Sequence, residues 1–222
     1  MLKFYYSLAP NPMKVALFLE EAGLPYEAVP VDTRRGEQHK PGFLAINPNA
    51  KAPAIDDDGT IVFDSNAILL YLGEKTGQFM PPAALRGETL SWMFFISSGI
   101  GPYSGQSVHF ANHAPEKIEY AMKRYAYEAK RHWSILNDRL EGRDWLVGDS
   151  YSIVDMAAWG WERAAAFVLG AELDSLVNVK RHFAAINARP AAERANALKD
   201  KHAFKAEMDD EARRNMFGHL AA

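Results

Sequence analysis

Hydrophobic and polar positions change rhythm once along this 222-residue chain, near residue 80. Before that point, short β-rich runs alternate with amphipathic repeats. Leu2–Tyr6 reads as a strand and leads into the loop Ser7–Pro12. Val15, Phe18, Leu19 and Ala22 then recur at i, i+3, i+4 and i+7, which predicts a helix stopped at Gly23. Tyr26–Val31 reads as a second strand, followed by the polar stretch Asp32–Lys40 and a short helical or irregular piece around Phe43–Ile46. Ala54–Asp56 and Thr60–Phe63 flank the acidic turn Asp57-Asp58-Gly59, a hairpin signal. Ile68, Tyr71, Leu72 and Lys75 give one face of a helix ending near Gly77. The order βαβ–(α)–ββα predicts an α/β sandwich.

After Pro81-Pro82 the strand signals largely disappear. Helical stretches run over about 85–98, 115–140, 153–169, 177–189 and 190–205. The longest carries Ile118, Met122, Tyr125, Ala129, Trp133, Leu136 and Leu140, a nearly continuous i+3/i+4 stripe. Ser152 with Asp155 three residues on predicts a capping box. The expected fold class is therefore α/β plus all-α: residues 1–80 as one domain, 81–86 as linker, 87–205 as a helical bundle, and 206–222 as a polar tail.

Composition narrows the chemistry. Hydrophobic residues make up 48% and charged residues 24%, ordinary for a soluble globular chain. With a formal net charge of −3 there is no basic excess for nucleic acid. The apolar run Met1–Ser7 is too short for a secretory leader, and nowhere do 18 consecutive apolar residues occur. No membrane association is expected, and a cytoplasmic location is. The chain contains no cysteine. Disulfides, Cys-ligated zinc, iron–sulfur clusters and a Cys nucleophile are thus excluded, and thiol chemistry here needs a sulfur that arrives with a ligand. His109 and His113 have helical metal-ligand spacing, but without a third ligand or an HExxH pattern no metal is expected.

Several segments together resemble the cytosolic glutathione transferases. Lys51-Ala52-Pro53-Ala54-Ile55 is similar to that family's cis-proline segment, Asp64-Ser65-Asn66-Ala67-Ile68 to its acid–serine motif, and Ser152-Ile153-Val154-Asp155 to the cap of its core helix. Pro10-Asn11 with Lys14, Phe18–Ala22, Gly36 with Gln38, Asn47-Pro48-Asn49, Gly99–Pro102, Gly105-Gln106, Arg124-Tyr125 with Arg131, and Trp159-Gly160-Trp161 resemble the bacterial Nu class more closely. That class comprises glutathione-dependent disulfide-bond oxidoreductases. The resemblance implies a thioredoxin-like first domain, a homodimer, and glutathione as co-substrate with glutathione disulfide as product or ligand.

The resemblance also implies roles. Asp64 would accept from the γ-glutamyl ammonium, and Ser65 would donate to the neighbouring carboxylate at a helix N-terminus; both residues also suit a plain helix cap. A cis bond before Pro53 would leave the Ala52 backbone to pair with the cysteinyl part of glutathione, whereas a trans proline could simply begin an edge strand. Asn11 would donate to the glutathione sulfur and favour its thiolate, and it also fits an N-cap followed by Pro12. Gln38 and Lys51 would receive the glycine carboxylate or nearby peptide atoms, although exposed polar loop residues need no such role. Arg131 would reach the γ-glutamyl carboxylate of a partner subunit, or else belong to a solvated face with Lys130 and His132. Tyr103, Gln106, Phe110 and Trp161 are candidate walls for a second substrate, set against an ordinary core role. The Nu-class loop usually has a threonine where Ala9 stands, which leaves Asn11 to work with backbone N–H groups. The expected activity is thiol–disulfide exchange by bound glutathione, or its conjugation to electrophiles. The alternative is a non-catalytic ligand-binding or dimerisation module.

Overall fold

The computed structural model describes residues 1–218, so residues 219–222 of the expected tail lie outside the described residues. The chain divides into two compact units, Met1–Leu72 together with the segment from Pro190 onward, and Gly73–Arg189.

The first unit is built on four strands: β1 (Leu2–Tyr6), β2 (Tyr26–Pro30), β3 (Ala54–Asp57) and β4 (Thr60–Phe63), in the order β2-β1-β3-β4. β1 pairs parallel with β2 and antiparallel with β3, and β3 pairs antiparallel with β4. Strict alternation buries Leu2, Phe4 and Tyr6 while Lys3 and Tyr5 face the other way. The β3–β4 turn has Asp58 at φ 50° and Gly59 at φ 96°, the positive-φ pair that suits the twist of a two-residue hairpin. Between the parallel strands runs α1 (Pro10–Ala22), which buries Pro12 through Leu19 and ends on Gly23 in the left-handed conformation. A short α2 (Pro41–Leu44) precedes β3, and α3 (Ser65–Thr76) follows β4.

The first unit is completed from the far end of the chain. α10 (Pro190–Asn196) packs against α1, with Ala191, Ala192 and Ala195 buried and Arg194 bonded to Glu20. A short α11 (Leu198–Lys201) follows, and Tyr6 Oη donates to Leu198 O at 3.3 Å. The segment read as a polar tail contains α12 (Asp210–Phe217), capped by Asp209, whose side chain accepts from Ala212 N. It rests on the single helical turn Thr33–Arg35.

The second unit is helical: α4 (Arg86–Phe95), α5 (Gly101–Val108), α6 (Glu119–Arg139), α7 (Ile153–Glu162), α8 (Ala165–Leu169) and α9 (Val177–Asn187). α4 runs into α5 through one wide turn, Ile96–Ile100, with Pro102 in the first turn of α5. Gly99 makes this possible, because a Cβ there would fall 2.4 Å from the His132 ring. The Ser152–Asp155 capping box forms. Asp155 also accepts from Leu146 N (2.8 Å) and contacts His182 Nε2 (3.1 Å), while His182 Nδ1 contacts Glu162 Oε1 at 2.7 Å. All three side chains are buried. Burial alone would push the imidazole down, but the charges and hydrogen bonds of Glu162 and Asp155 outweigh it and hold His182 up at about 10.

Candidate functional site

The candidate residues of the first unit stand on the ends of its elements. α1 begins two residues earlier than the sequence suggests. Ala9 is its N-cap and Pro10 its first residue, so Asn11 is not the N-cap but lies within the first turn. Pro10 has no N–H to lose at this position, which is why the helix can start there. Asn11 is partly exposed among the N–H groups that have no partner within a helix. The preceding loop carries a hydroxyl at Ser7, which is 7% exposed and accepts from Ala9 N at 3.5 Å. Its own proton is left to donate. Ser7, Leu8 and Ala9 border a cavity of about 400 Å³ whose other walls are Asp32–Arg34, Phe204–Ala206 and Met216.

The Ala52–Pro53 peptide bond is cis. The loop before it is held by Asn47, 2% exposed, which donates from Nδ2 to Lys51 O (2.6 Å) and accepts from Asn49 N (3.0 Å). The Lys51 side chain is exposed and Pro53 is buried.

Asp64 and Ser65 open α3. Asp64 sits at φ 72°, a left-handed conformation that a short polar side chain tolerates better than most. Its Oδ1 accepts from Asn66 N (2.9 Å) and Ala67 N (3.1 Å), so it is a true cap. Neither bond uses Oδ2, and the residue is exposed. Capping and ligand binding therefore do not compete for the same atom. Ser65 is 5% exposed, and its Oγ accepts from Lys14 Nζ at 3.3 Å.

Gln38 is not an exposed loop residue. It is 5% exposed, and its Nε2 donates to the main-chain carbonyl of Asn215 in α12 at 3.0 Å. His39 Nε2 donates to the same oxygen at 3.0 Å, and Asn215 Nδ2 donates to Arg34 O at 2.9 Å. Gly36, at φ 77°, leaves the space for this: a Cβ there would approach the Asn215 amide to 3.1 Å. Gln38 Oε1 is buried without a hydrogen-bond partner. Asn215, Asn47 and Lys14 had not been given roles. Lys14 and Asn47 stand within segments that resemble the Nu class, whereas nothing in the sequence marks Asn215.

In the second unit, Arg131 lies on α6 and is half exposed. Its Nε donates to Glu128 Oε2 at 2.9 Å, while Arg124 Nη1 holds the other carboxylate oxygen at 2.7 Å. The hydrogen bond from Arg131 keeps the Glu128 carboxyl below the usual range. Tyr103 stacks on His132 and Phe110 on Tyr125, with centroids 4.8 Å and 5.1 Å apart. The Trp161 ring lies against Gly101, and Gln106 is exposed. Among the described residues no three His, Cys, Asp or Glu side chains come together as a metal site, and no helix is long and apolar enough to cross a membrane.

Two family models match the chain: the glutathione S-transferase N-terminal domain over residues 2–74, and the glutathione S-transferase C-terminal domain over residues 92–190. The Escherichia coli disulfide-bond oxidoreductase YfcG is 46% identical over 172 residues, covering 74% of this chain and 80% of YfcG. A Burkholderia graminis glutathione transferase, crystallised with two glutathione molecules per subunit, is 39% identical. Its TM-score is 0.83, with 90% of this chain and 89% of that one covered. A Pseudomonas putida glutathione transferase with one glutathione disulfide per subunit is 36% identical. Its TM-score is 0.80, with 87% and 90% covered.

Proposed function

Since the chain belongs to the glutathione transferase family, we propose that it is an enzyme that binds glutathione and uses the glutathione thiolate to reduce disulfides. The observation that carries this is the state of Asp64 and Ser65: a capping carboxylate with one oxygen still open, beside a buried hydroxyl at a helix start, in a chain with no sulfur nucleophile of its own.

On this reading Asp64 takes the γ-glutamyl ammonium and Ser65 the carboxylate. The Ala52 backbone beside Pro53 pairs with the cysteinyl peptide, and Gln38 with Lys51 takes the glycine end. Asn11 donates to sulfur. A free thiol has a pKa near 8.5, and each unit of lowering needs about 1.4 kcal/mol of preferential thiolate stabilisation. The Asn11 amide and the start of α1 together are of the right size for one or two units. The Ser7 hydroxyl, which accepts from Ala9 N in the same loop and keeps its own proton, is the further donor proposed in place of the one Ala9 lacks.

The exchange balances without a protein cysteine. The glutathione thiolate attacks one sulfur of the disulfide, forming a glutathione mixed disulfide and expelling the other sulfur as a thiolate, which takes up a proton. A second glutathione thiolate then attacks the glutathione sulfur of the mixed disulfide. This releases glutathione disulfide and a second thiol. Net, two glutathiones are oxidised and one disulfide is reduced. The same thiolate could attack an electrophilic carbon, so conjugation is the second expected activity. We further propose that the protein acts as a homodimer in which Arg131 reaches the partner's γ-glutamyl carboxylate, and that it works in the cytoplasm.

The test is steady-state turnover with glutathione against a small disulfide and an activated aryl halide. Disulfide reduction at a rate well above the uncatalysed exchange supports the proposal. Glutathione binding with no turnover of either substrate would return the protein to the class of binding modules.

A further inference from the structure

Lys14 lies in the buried run Pro12–Leu19 of α1, with none of the residue exposed. Removing an ammonium from water costs several kcal/mol even after relaxation, and an apolar side chain here would simply continue the stripe. The charge needs a reason. Nζ lies 3.3 Å from Ser65 Oγ and 3.1 Å from Asn66 Oδ1, both side chains at the start of α3. These are neutral oxygens. Burial pulls the ammonium down to about 7, and the charge of Asp64 opposes that pull without forming a hydrogen bond to Nζ. Lys14 is therefore an amine held under the first turn of α3 with neutral oxygens for partners, and a carboxylate bound above it would favour its charged form.

The bond to Ser65 has a directional consequence. A serine hydroxyl has one proton and two acceptor positions. With one acceptor position taken by Lys14, the proton is turned away from Nζ and left to donate elsewhere. The N–H groups at the start of α3 add donors on the same helix end.

We propose that Lys14 is a positioning residue for the γ-glutamyl carboxylate of glutathione, fixing the Ser65 hydroxyl as a donor and placing a positive charge beneath the carboxylate's seat. This inference rests on the assignment of Asp64 and Ser65 as the γ-glutamyl site. A lysine that merely ties α1 to α3 would affect every ligand alike. A lysine that serves the carboxylate discriminates between ligands by that group alone.

The experiment compares the full-length wild type with Lys14→Met, Lys14→Gln and Lys14→Arg. Three tripeptides serve as ligands: glutathione; glutaryl-cysteinylglycine, which keeps the carboxylate and lacks the ammonium; and 4-aminobutyryl-cysteinylglycine, which keeps the ammonium and lacks the carboxylate. Affinity is read by calorimetry, or as kcat/KM in disulfide exchange where binding is weak, with melting curves alongside. Lys14→Met should weaken glutathione and the glutaryl peptide by about tenfold or more, the size of a lost charge-assisted interaction. It should leave the 4-aminobutyryl peptide within about twofold. Lys14→Gln, which keeps a donor but no charge, should behave like Lys14→Met, and Lys14→Arg should recover most of the loss. If Lys14→Met does not fold, the contrast between Gln and Arg decides. A penalty shared equally by all three peptides, or none for glutathione, overturns the role of Lys14 alone. Failure of the wild type to bind glutathione overturns the parent reading and this inference with it.

Discussion

α12 covers Gln38, which is 5% exposed and gives one of its two Nε2 hydrogens to Asn215 O, so α12 and a glycine carboxylate compete for access to it. Ending the chain after Glu207 removes α12 but keeps the contacts of Lys205 N with Asp32 Oδ2 and of Arg34 with the Lys205 and Ala206 carbonyls. Besides the Lys205 pairs with the exposed Asp209 and Glu211, which are worth little, three hydrogen bonds to the Arg34–His39 segment disappear with α12: those of Gln38 and His39 to Asn215 O, and that of Asn215 Nδ2 to Arg34 O. Each is worth about 1 kcal/mol net. Asn215 makes all three, and fixing that one residue takes back about 1–2 kcal/mol, while the orphaned Gln38 Oε1 weakens the closed arrangement further. A net closing free energy of about 1–2 kcal/mol leaves the open form at roughly 3–15% of molecules. Apparent glutathione affinity is reduced by that fraction. Truncation should thus lower the glutathione Kd by about 5- to 30-fold, measured by calorimetry, with turnover per bound enzyme unchanged. Adding Gln38→Ala to the truncated chain should cancel the gain. Unchanged or weaker binding after truncation would refute the competition, and with it the assignment of Gln38 to the glycine end.

Other expectations are more direct. Asn11→Ala should lower kcat for disulfide exchange by about tenfold or more while glutathione Kd changes by less than about threefold, and the thiolate absorbance of bound glutathione should titrate at higher pH. Equal turnover per bound enzyme would show that Asn11 does not touch sulfur. Arg131→Ala should raise the KM for glutathione by about tenfold without changing the dimer fraction in sedimentation; an unchanged KM confines Arg131 to its pair with Glu128. His182 has a folded pKa above its ordinary 6.5, so its stabilisation is complete below 6.5 and is lost as pH rises toward about 10. Melting temperature should therefore fall by several degrees between pH 6.5 and 9.5. His182→Gln should flatten that slope, and a slope that survives the substitution places its origin elsewhere.

Local signals were readable where one residue type answers one geometric need. Asp58-Gly59 announced the hairpin, the apolar stripe gave α1, and Ser152 with Asp155 gave the start of α7. Competing local signals hid other features. Asn11 followed by Pro12 reads as an N-cap and first helical residue, and the pattern could not show that Ala9 would serve as N-cap. Gly99, Gly101 and Pro102 read as a break. The wide turn at Ile96–Ile100 and the His132 ring filling the space beside Gly99 instead let the helix continue. The stretch read as helical over 190–205 is helical only over Pro190–Asn196 and Leu198–Lys201, and nothing local told that the small alanine face of α10 would meet α1. The charged composition of 206–218 concealed a helix with a single buried residue, Ala212. The proposed site residues Asn11, Pro53, Asp64 and Ser65 lie at or beside element ends, where sequence punctuation is strongest. The engagement of Gln38 and the burial of Lys14 depend on partners 177 and 51 residues away, and no local pattern encodes such pairs.

The central claim is that glutathione supplies every sulfur on the enzyme's side, held by Asp64 and Ser65 at one end and Asn11 at the sulfur. A crystal structure with glutathione disulfide tests it most directly. The account predicts one γ-glutamyl group on Asp64 and Ser65, its cysteinyl peptide on the Ala52 backbone, the disulfide sulfur within hydrogen-bond reach of Asn11 Nδ2, and Gln38 released from Asn215. A disulfide bound away from Asp64 and Asn11, with Asn215 still seated on Gln38, would contradict it.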